Sequence, residues 1–129
     1  MATASPTVYV VDDDDSVRES LRALLETFGL TVKEFESGAD FLAHVEAGGS
    51  GCVVLDVHLP GVSGLETLIR LRSKFGDELP VVMITGQTDR GLKEQLLARG
   101  ASAYIEKPFD ALALVETVNS LARRGEARI

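Results

Sequence analysis

The feature that most constrains the fold is a run of four apolar residues, Cys52 to Leu55, that leads directly into Asp56. The chain breaks soon afterwards at Pro60-Gly61. A short, continuously apolar segment bounded by turn residues is typical of a central strand in a parallel sheet, where both faces are buried. Open α/β sheets bind their ligands at the carboxyl ends of the strands, so this position makes Asp56 the first candidate functional residue.

The rest of the chain alternates short apolar runs, which predict strands, with amphipathic segments, which predict helices. Alternation of this kind with short connections implies right-handed crossovers and helices on both faces of a parallel sheet. The predicted fold is therefore a three-layer, doubly wound α/β sheet of the flavodoxin-like (βα)5 type, with strand order 2-1-3-4-5. The predicted strands are residues 8–11, 31–35, 52–56, 80–85 and 103–106.

The helical patterns also assign individual side chains to the core or to water. Arg18 in the first helix is expected to face water. The leucines of the fourth helix (residues 88–99) and of the last helix, which Asp110 caps, are expected to lie in the core. Ser37 is the expected N-cap of the second helix, which should end in the glycine-rich turn at 48–51. The second strand is less apolar than the first and is expected near an edge of the sheet.

Length predicts a single domain, because 129 residues suffice for one ordinary core. We expect a polar lead-in at residues 1–6, the domain at 7–122, and a polar tail or the start of a linker at 123–129. No apolar run approaches the roughly 18 residues needed to cross a bilayer, and the first residues lack the pattern of a signal peptide.

Charge and cysteine usage narrow the functional classes. A net charge of −7 argues against direct binding to nucleic acid or to an anionic membrane, because both need a basic footprint. The same charge suits a divalent cation or a protein partner. The single cysteine, Cys52, excludes an internal disulfide and favours a cytoplasmic location, and it is expected to be a small buried hydrophobe and not a reactive thiol.

Four of the predicted strands end in residues that suit metal or phosphoryl chemistry. If the strands are parallel, these ends lie on one edge of the sheet, and the predicted strand order sets the first and third strands side by side. Three carboxylates then converge beside a hydroxyl and an ammonium group. The residues are Asp12 and Asp13 after the first strand, Asp56 after the third, Thr85-Gly86 after the fourth and Lys107 after the fifth.

Clustered carboxylates repel and raise each other's pKa unless a cation compensates them. Mg²⁺ accepts a few carboxylates and a backbone carbonyl while it keeps several waters. A cation together with Lys107, the Thr85 hydroxyl and the Gly86 N–H also forms a receptor for a phosphoryl group. Asp56 would then be the nucleophile, forming an aspartyl phosphate as some ATPases do.

Each of these residues has a plainer interpretation when it is taken alone. The acidic run at 12–15 could be a solvated loop that caps a helix, and this interpretation stays ahead for Asp14 and Asp15. Lys107 alone would be a surface lysine, and Thr85 a strand-end hydroxyl with a local backbone bond. Their functional interpretation depends on their occurring together at the ends of different strands.

The ordered set of motifs resembles the receiver domain of two-component response regulators. The matching segments are residues 10–13, Asp56 with Pro60-Gly61, Thr85-Gly86 and residues 106–109. Residues 11–18 and 104–109 are most similar to receivers of the FixJ type. The resemblance covers about residues 7 to 122, and it implies a CheY-like fold with a histidine kinase as the source of the phosphoryl group.

The resemblance assigns a role to each site residue. It implies that Asp56 accepts the phosphoryl group, and that Thr85, Lys107 and the Gly86 backbone contact it. It also implies that Asp13, Asp56 and the His58 main-chain carbonyl ligate Mg²⁺ directly, with Asp12 acting through a water. Its further implications are the aromatic switch Tyr104, a cis Lys107–Pro108 bond, and His58 and Gln87 as candidates for tuning hydrolysis of the aspartyl phosphate.

Three functions compete at this stage. The first is a phosphorylatable switch whose fourth helix, fifth strand and fifth helix form a face for dimerisation or for an output partner that this sequence does not contain. The second is an interaction module with the same fold that is never phosphorylated. The third is a phosphohydrolase with an aspartate nucleophile. Such enzymes commonly use a second carboxylate, two residues after the nucleophile, as an acid/base, and this chain has His58 there. We therefore expect a phosphoacceptor with at most slow self-dephosphorylation, not an enzyme.

Overall fold

The computed structural model describes residues 6–45, 51–86 and 90–124 and forms a five-stranded parallel sheet with five helices. Several predicted features lie outside the described residues. They are the two termini (1–5 and 125–129), the turn at 48–50, Gln87, and the start of the fourth helix at 88–89. The elements are β1 (Thr7–Val11), α1 (Asp15–Thr27), β2 (Thr31–Phe35), α2 (Gly38–His44), β3 (Gly51–Asp56), α3 (Gly64–Phe75), β4 (Val81–Thr85), α4 (Arg90–Ala98), β5 (Ala103–Glu106) and α5 (Ala111–Ala122).

The strand order is β2-β1-β3-β4-β5 and every pairing is parallel, which confirms the predicted topology. The edge strand β2 is the most exposed of the first four, as its mixed sequence indicated. The register pairs Val11 with Leu55 and Asp56 with Ile84, so β1, β3 and β4 end close together, each strand one residue further along than its neighbour. This alignment brings the residues that follow each strand to one edge of the sheet.

Two hydrophobic layers confirm the three-layer architecture. Alternate side chains of a strand point to opposite faces, so Val8 and Val10 join one layer while Tyr9 and Val11 join the other. Helices α1 and α5 cover the first face, and α2, α3 and α4 cover the second. Cys52 is fully buried in the first layer, as predicted. Among the described residues, no helix is long and apolar enough to cross a membrane.

Helix starts follow the predicted caps. The Ser37 hydroxyl accepts the Asp40 N–H, and the Asp110 carboxylate accepts two N–H groups of α5. Asp14 is the N-cap of α1 and accepts the N–H groups of Ser16 and Val17, which confirms its interpretation as a cap.

The end of the second helix was predicted wrongly. Helix α2 ends at His44, and Val45 is already extended, whereas the glycine-rich sequence had indicated an end near residue 48. Gly51 is not a turn residue but the first residue of β3, paired with Thr7. A Cβ on Gly51 would lie 2.6 Å from the Thr7 carbonyl oxygen, so close backbone approach and not turn formation requires glycine here.

Three side chains lie where the patterns did not predict them. Arg18, expected to face water, is buried because its guanidinium binds the main-chain carbonyl of Asp12. Leu97 and Leu112, expected in the core, are 42% and 51% exposed. In α4 the fully buried leucine is Leu96, so its neighbour Leu97 points outward.

Candidate functional site

The predicted convergence of carboxylates at the carboxyl edge of the sheet is confirmed. Asp12 and Asp13 follow β1, and Asp56 ends the neighbouring strand β3. One carboxylate oxygen from each of the three lies within 4.8 Å of the others. Asp12 and Asp56 are buried and Asp13 is exposed, so the cluster opens to solvent on the Asp13 side.

Lys107 joins the cluster from the end of β5, two strands away from β3. Its ammonium nitrogen lies 3.3 Å from Asp56 Oδ2 and 3.5 Å from Asp12 Oδ2. The Lys107 backbone N–H donates to the Thr85 carbonyl at 2.7 Å, which holds the start of its side chain against the end of β4. The predicted cis Lys107–Pro108 bond is present.

Backbone amides fix the orientation of the two buried carboxylates. Asp12 Oδ1 accepts the N–H of Asp14, and Asp56 Oδ1 accepts the N–H of His58, each at 2.9 Å. In both side chains the other oxygen, Oδ2, faces Lys107. The Asp56 carboxylate is therefore held from one side and presents its second oxygen to the cation.

The electrostatics of this cluster are unfavourable for Asp12. Burial raises the pKa of Asp12 above its ordinary value, and the charge of Asp56 raises it further, while the Asp14 N–H and Lys107 offset only part of this. Burial alone lowers the pKa of Lys107, but the charges of Asp12 and Asp56 outweigh it and raise that pKa. One ammonium group leaves the acidic cluster undercompensated.

The donor set fits a hard divalent cation. It consists of carboxylate oxygens, which Mg²⁺ prefers, and it leaves an exposed side where waters could complete an octahedral shell. A bound cation would favour the charged form of Asp12, whose pKa is raised by burial and, to a lesser extent, by the charge of Asp56. Asp12, Asp13 and Asp56 are thus suited to bind Mg²⁺, the cation that the sequence resemblance implied.

Thr85 and Gly86 lie at the end of the strand next to β3, on the same edge of the sheet as the cluster. Thr85 ends β4, the strand next to β3, and is fully buried, whereas Gly86 is exposed. The edge of the sheet thus brings together an acidic cluster, an ammonium group and a strand-end hydroxyl, as predicted.

Comparison with known proteins decides the family. The family model described as the response regulator receiver domain matches residues 8–119. This chain belongs to the response regulator receiver family. It is 44% identical over 120 residues to the transcriptional regulatory protein FixJ of Azorhizobium caulinodans, covering 92% of this chain and 56% of that protein. It is 40% identical over 114 residues to the transcriptional regulatory protein TdiR of Thauera aromatica, covering 88% of this chain and 50% of that protein.

A solved structure agrees with the sequence relatives. The response regulator StyR superposes with a TM-score of 0.85 and 38% identity, covering 97% of this receiver and 65% of that chain. This receiver therefore spans about half the length of the curated relatives named above.

Tyr104 and His58 are the other predicted site residues that the structure describes. Tyr104 is partly buried against the layer of α2, α3 and α4, and the Lys93 ammonium lies 6.0 Å from the centre of its ring. The His58 side chain is exposed, and its backbone N–H contacts Asp56. Gln87 lies outside the described residues.

Two residues at the site were not found by sequence reasoning. Arg18 binds the Asp12 carbonyl from α1, and Gly64, the first residue of α3, packs on the Asp56 carbonyl. Glu34 on β2, the strand that follows α1, offered an acidic partner with which a buried Arg18 could pair. The sequence offered no comparable signal for Gly64, because a glycine before an amphipathic run is most simply part of a turn.

Proposed function

We propose that this receiver domain accepts a phosphoryl group on Asp56 from the phosphohistidine of a sensor histidine kinase. The observation that carries the proposal is the arrangement of Asp56, whose Oδ1 is held by the His58 N–H and whose Oδ2 faces Lys107. This carboxylate is buried at a sheet edge and oriented by its neighbours, as a nucleophile requires.

Transfer replaces one bond to phosphorus by another. An Asp56 carboxylate oxygen forms the new O–P bond as the P–N bond of the phosphohistidine breaks. The imidazole nitrogen keeps the electron pair of the broken bond and is protonated from solvent. The protein supplies positioning and charge stabilisation, which carry most of the catalysis in phosphoryl transfer.

The neighbouring residues would stabilise the transferred group. Lys107 pairs with a phosphoryl oxygen, and the Thr85 hydroxyl and the Gly86 N–H donate to others. Asp13 and Asp56 would hold Mg²⁺ together with the His58 main-chain carbonyl, and Asp12 would act through a water. When bound, Mg²⁺ supplies positive charge that offsets both the carboxylates and the phosphoryl oxygens.

Phosphorylation would change the face formed by α4, β5 and α5. The new group adds close to two negative charges, and recruitment of Thr85 toward it would shift an existing equilibrium in which Tyr104 turns inward. Leu97 and Leu112 give this face exposed apolar surface that a second copy or an output partner could cover. Its partners would be the kinase, a second copy and an output domain or effector, with no direct contact to nucleic acid or membrane.

The proposal places the domain in the cytoplasm as a phosphoacceptor and not as an enzyme with turnover. Slow self-dephosphorylation would return it to its resting state, with His58 and Gln87 as candidates for setting that rate. Because the acidic cluster, Asp56, Thr85 and Lys107 are all present, a receiver that is never phosphorylated is the weaker alternative.

Intact-mass measurement after incubation with a small acyl phosphate tests the proposal. The wild-type domain should gain one phosphoryl group in the presence of Mg²⁺ and none in the presence of EDTA, and Asp56→Asn should gain none. Asp77→Asn, which removes an exposed carboxylate after α3, is the matched control and should behave as wild type. The absence of any gain in wild type, or an undiminished gain in Asp56→Asn, would contradict the proposal.

A further inference from the structure

Among the residues that the structure describes, Arg18 is the buried cationic side chain that the proposed phosphoryl chemistry does not use. It lies in α1, and its side chain is only 11% exposed, whereas that of Arg22, one turn further along, is 47% exposed. A buried guanidinium must satisfy its donors, so its partners indicate what it does.

The Arg18 guanidinium contacts the β1–α1 loop (residues 12–14), which carries Asp12 and Asp13 of the acidic cluster. Its Nη1 donates to the main-chain carbonyl of Asp12 at 2.5 Å. Its Nη2 donates to the carboxylate of Asp15, and its Nε lies 3.4 Å from Glu34 Oε1 on the edge strand β2. The planar fork of donors thus joins the loop, the start of α1 and the edge of the sheet.

The carbonyl that Arg18 binds belongs to the peptide between Asp12 and Asp13, the two loop residues of the acidic cluster. That peptide joins Asp12 to Asp13, so its orientation determines where the Asp13 side chain starts. The Asp12 N–H already donates to the Phe35 carbonyl of β2 at 3.1 Å. With Arg18 on the carbonyl, the backbone of Asp12 is held on both sides.

We propose that Arg18 is a positioning residue for the Mg²⁺ site, which sets the backbone of Asp12 and Asp13 for binding the cation. This inference rests on the proposed function, because it presumes that these carboxylates bind Mg²⁺. Glu34 holds the guanidinium in place and is itself shared with Arg22, whose Nη1 lies 2.7 Å from Glu34 Oε2.

Charge and position make opposite predictions for the loss of Arg18. If Arg18 acted only through its charge, its removal would take away a cation near the site and would tighten Mg²⁺ binding. If it positions the loop, its removal should weaken binding, about tenfold by analogy with other residues that orient metal ligands. The sign of the change therefore distinguishes the two roles.

Calorimetric titration measures the Mg²⁺ affinity of wild type and of three variants, and so shows whether binding weakens or tightens. The variants are Arg18→Met, Arg18→Lys and Arg22→Met. We expect Arg18→Met to bind about tenfold more weakly and Arg22→Met, which loses an exposed charge on the same network, to stay within about twofold of wild type. Arg18→Lys keeps the charge but not the fork, so it should remain weaker than wild type. Tighter or unchanged binding in Arg18→Met, or full rescue by lysine, would overturn the proposal.

Amide hydrogen exchange without Mg²⁺ tests the same proposal independently of the metal. In Arg18→Met the amides of Asp13 and Asp14 should exchange at least about fivefold faster, while amides in β4 keep their wild-type rates. Equal acceleration throughout the domain would indicate a merely structural role and would refute positioning. If wild type bound no Mg²⁺, the proposed function would fail and with it the role of Arg18 at a Mg²⁺ site, whereas unchanged exchange at Asp13 and Asp14 in Arg18→Met would refute the positioning by Arg18 alone.

Discussion

At the scale of residues, the site holds an unfavourable arrangement of charge. The pKa of Asp12 is raised by burial and by Asp56, so the charged form of this carboxylate is disfavoured where it stands. Lys107 is close to both carboxylates but cannot neutralise the cluster alone. The site is suited to bind a cation, because the charge of a bound cation would offset the repulsion between these carboxylates.

Cys52 gives a pH dependence that is separate from the site. Burial raises the pKa of its thiol from an ordinary 9.0 to about 12. Because the folded-state pKa is the higher one, the stabilisation is complete below the unfolded-state value and is lost as pH rises toward the folded-state value. Above about pH 9, wild type should therefore lose about 1.4 kcal/mol of unfolding free energy per pH unit more than Cys52→Ala. Urea unfolding of both proteins across this range measures the difference, and parallel pH profiles would contradict the burial of the thiol.

Sequence reasoning at this scale succeeded where residue type and strand position agreed. Asp12, Asp13, Asp56 and Lys107 are polar residues at strand ends, and parallel topology alone brings strand ends together. Arg18 was missed because a periodic pattern assigns a charged residue to the solvent side, whereas its burial depends on partners in the β1–α1 loop and on β2.

At the scale of elements, α3 begins directly against the site. The Gly64 N–H donates to the Val57 carbonyl at 2.9 Å. A Cβ at Gly64 would lie 2.2 Å from the Asp56 carbonyl oxygen and 2.6 Å from Val57 Cα. The start of α3 thus packs on the backbone that carries the proposed nucleophile, and only glycine permits this approach.

Gly64→Ala should destabilise the domain, because the backbone on both sides must move apart to admit the methyl group. We expect a loss of about 2 kcal/mol or more in unfolding free energy, measured by urea denaturation. Ser73→Ala, an exposed substitution in the same helix, should change the stability by less than about 0.5 kcal/mol. A Gly64→Ala domain as stable as wild type would show that this contact is not tight.

The sequence predicted the existence, type and order of every element but not all of their ends. Helix α2 stops at His44, and Val45 already has extended backbone dihedral angles, although the glycines lie further along the chain. Gly51 was interpreted as a turn residue. It is instead the first residue of β3 and pairs with Thr7 of β1, a pairing that only the assembled sheet reveals. Local signals cannot reveal a close approach between distant parts of the chain.

At the scale of the whole molecule, the proposed phosphorylation site and the proposed output surface lie in different places: the site at the carboxyl edge of the sheet, the output surface on α4, β5 and α5. The carboxylates lie at the end of the central strands, while Leu97 and Leu112 lie on α4 and α5. Strand β5 connects the two regions, because Lys107 follows it directly and Tyr104 lies within it. Asp56 is therefore linked to the α4-β5-α5 face through its ion pair with Lys107, which directly follows β5.

The proposed dimerisation through this face can be measured by sedimentation with Mg²⁺ and beryllofluoride, the ligand named in the BeF3-activated DrrB receiver structure. We expect self-association on activation, weakened about tenfold or more by Leu97→Ser or Leu112→Ser because each removes apolar area from the interface. Lys33→Ser, on the opposite edge strand, is the control. Association that neither leucine affects would place the interface elsewhere, and no association on activation would contradict dimerisation.

The central claim is that Asp56 carries the phosphoryl group, and locating that group tests it most directly. Borohydride reduces an acyl phosphate to an alcohol, so treatment of the phosphorylated domain should convert Asp56 to homoserine, which peptide mass spectrometry can identify. We predict conversion at Asp56 only, and only in protein that was phosphorylated in the presence of Mg²⁺. Conversion at Asp12 or Asp13, or none at Asp56 in protein that has gained a phosphoryl group, would contradict the account.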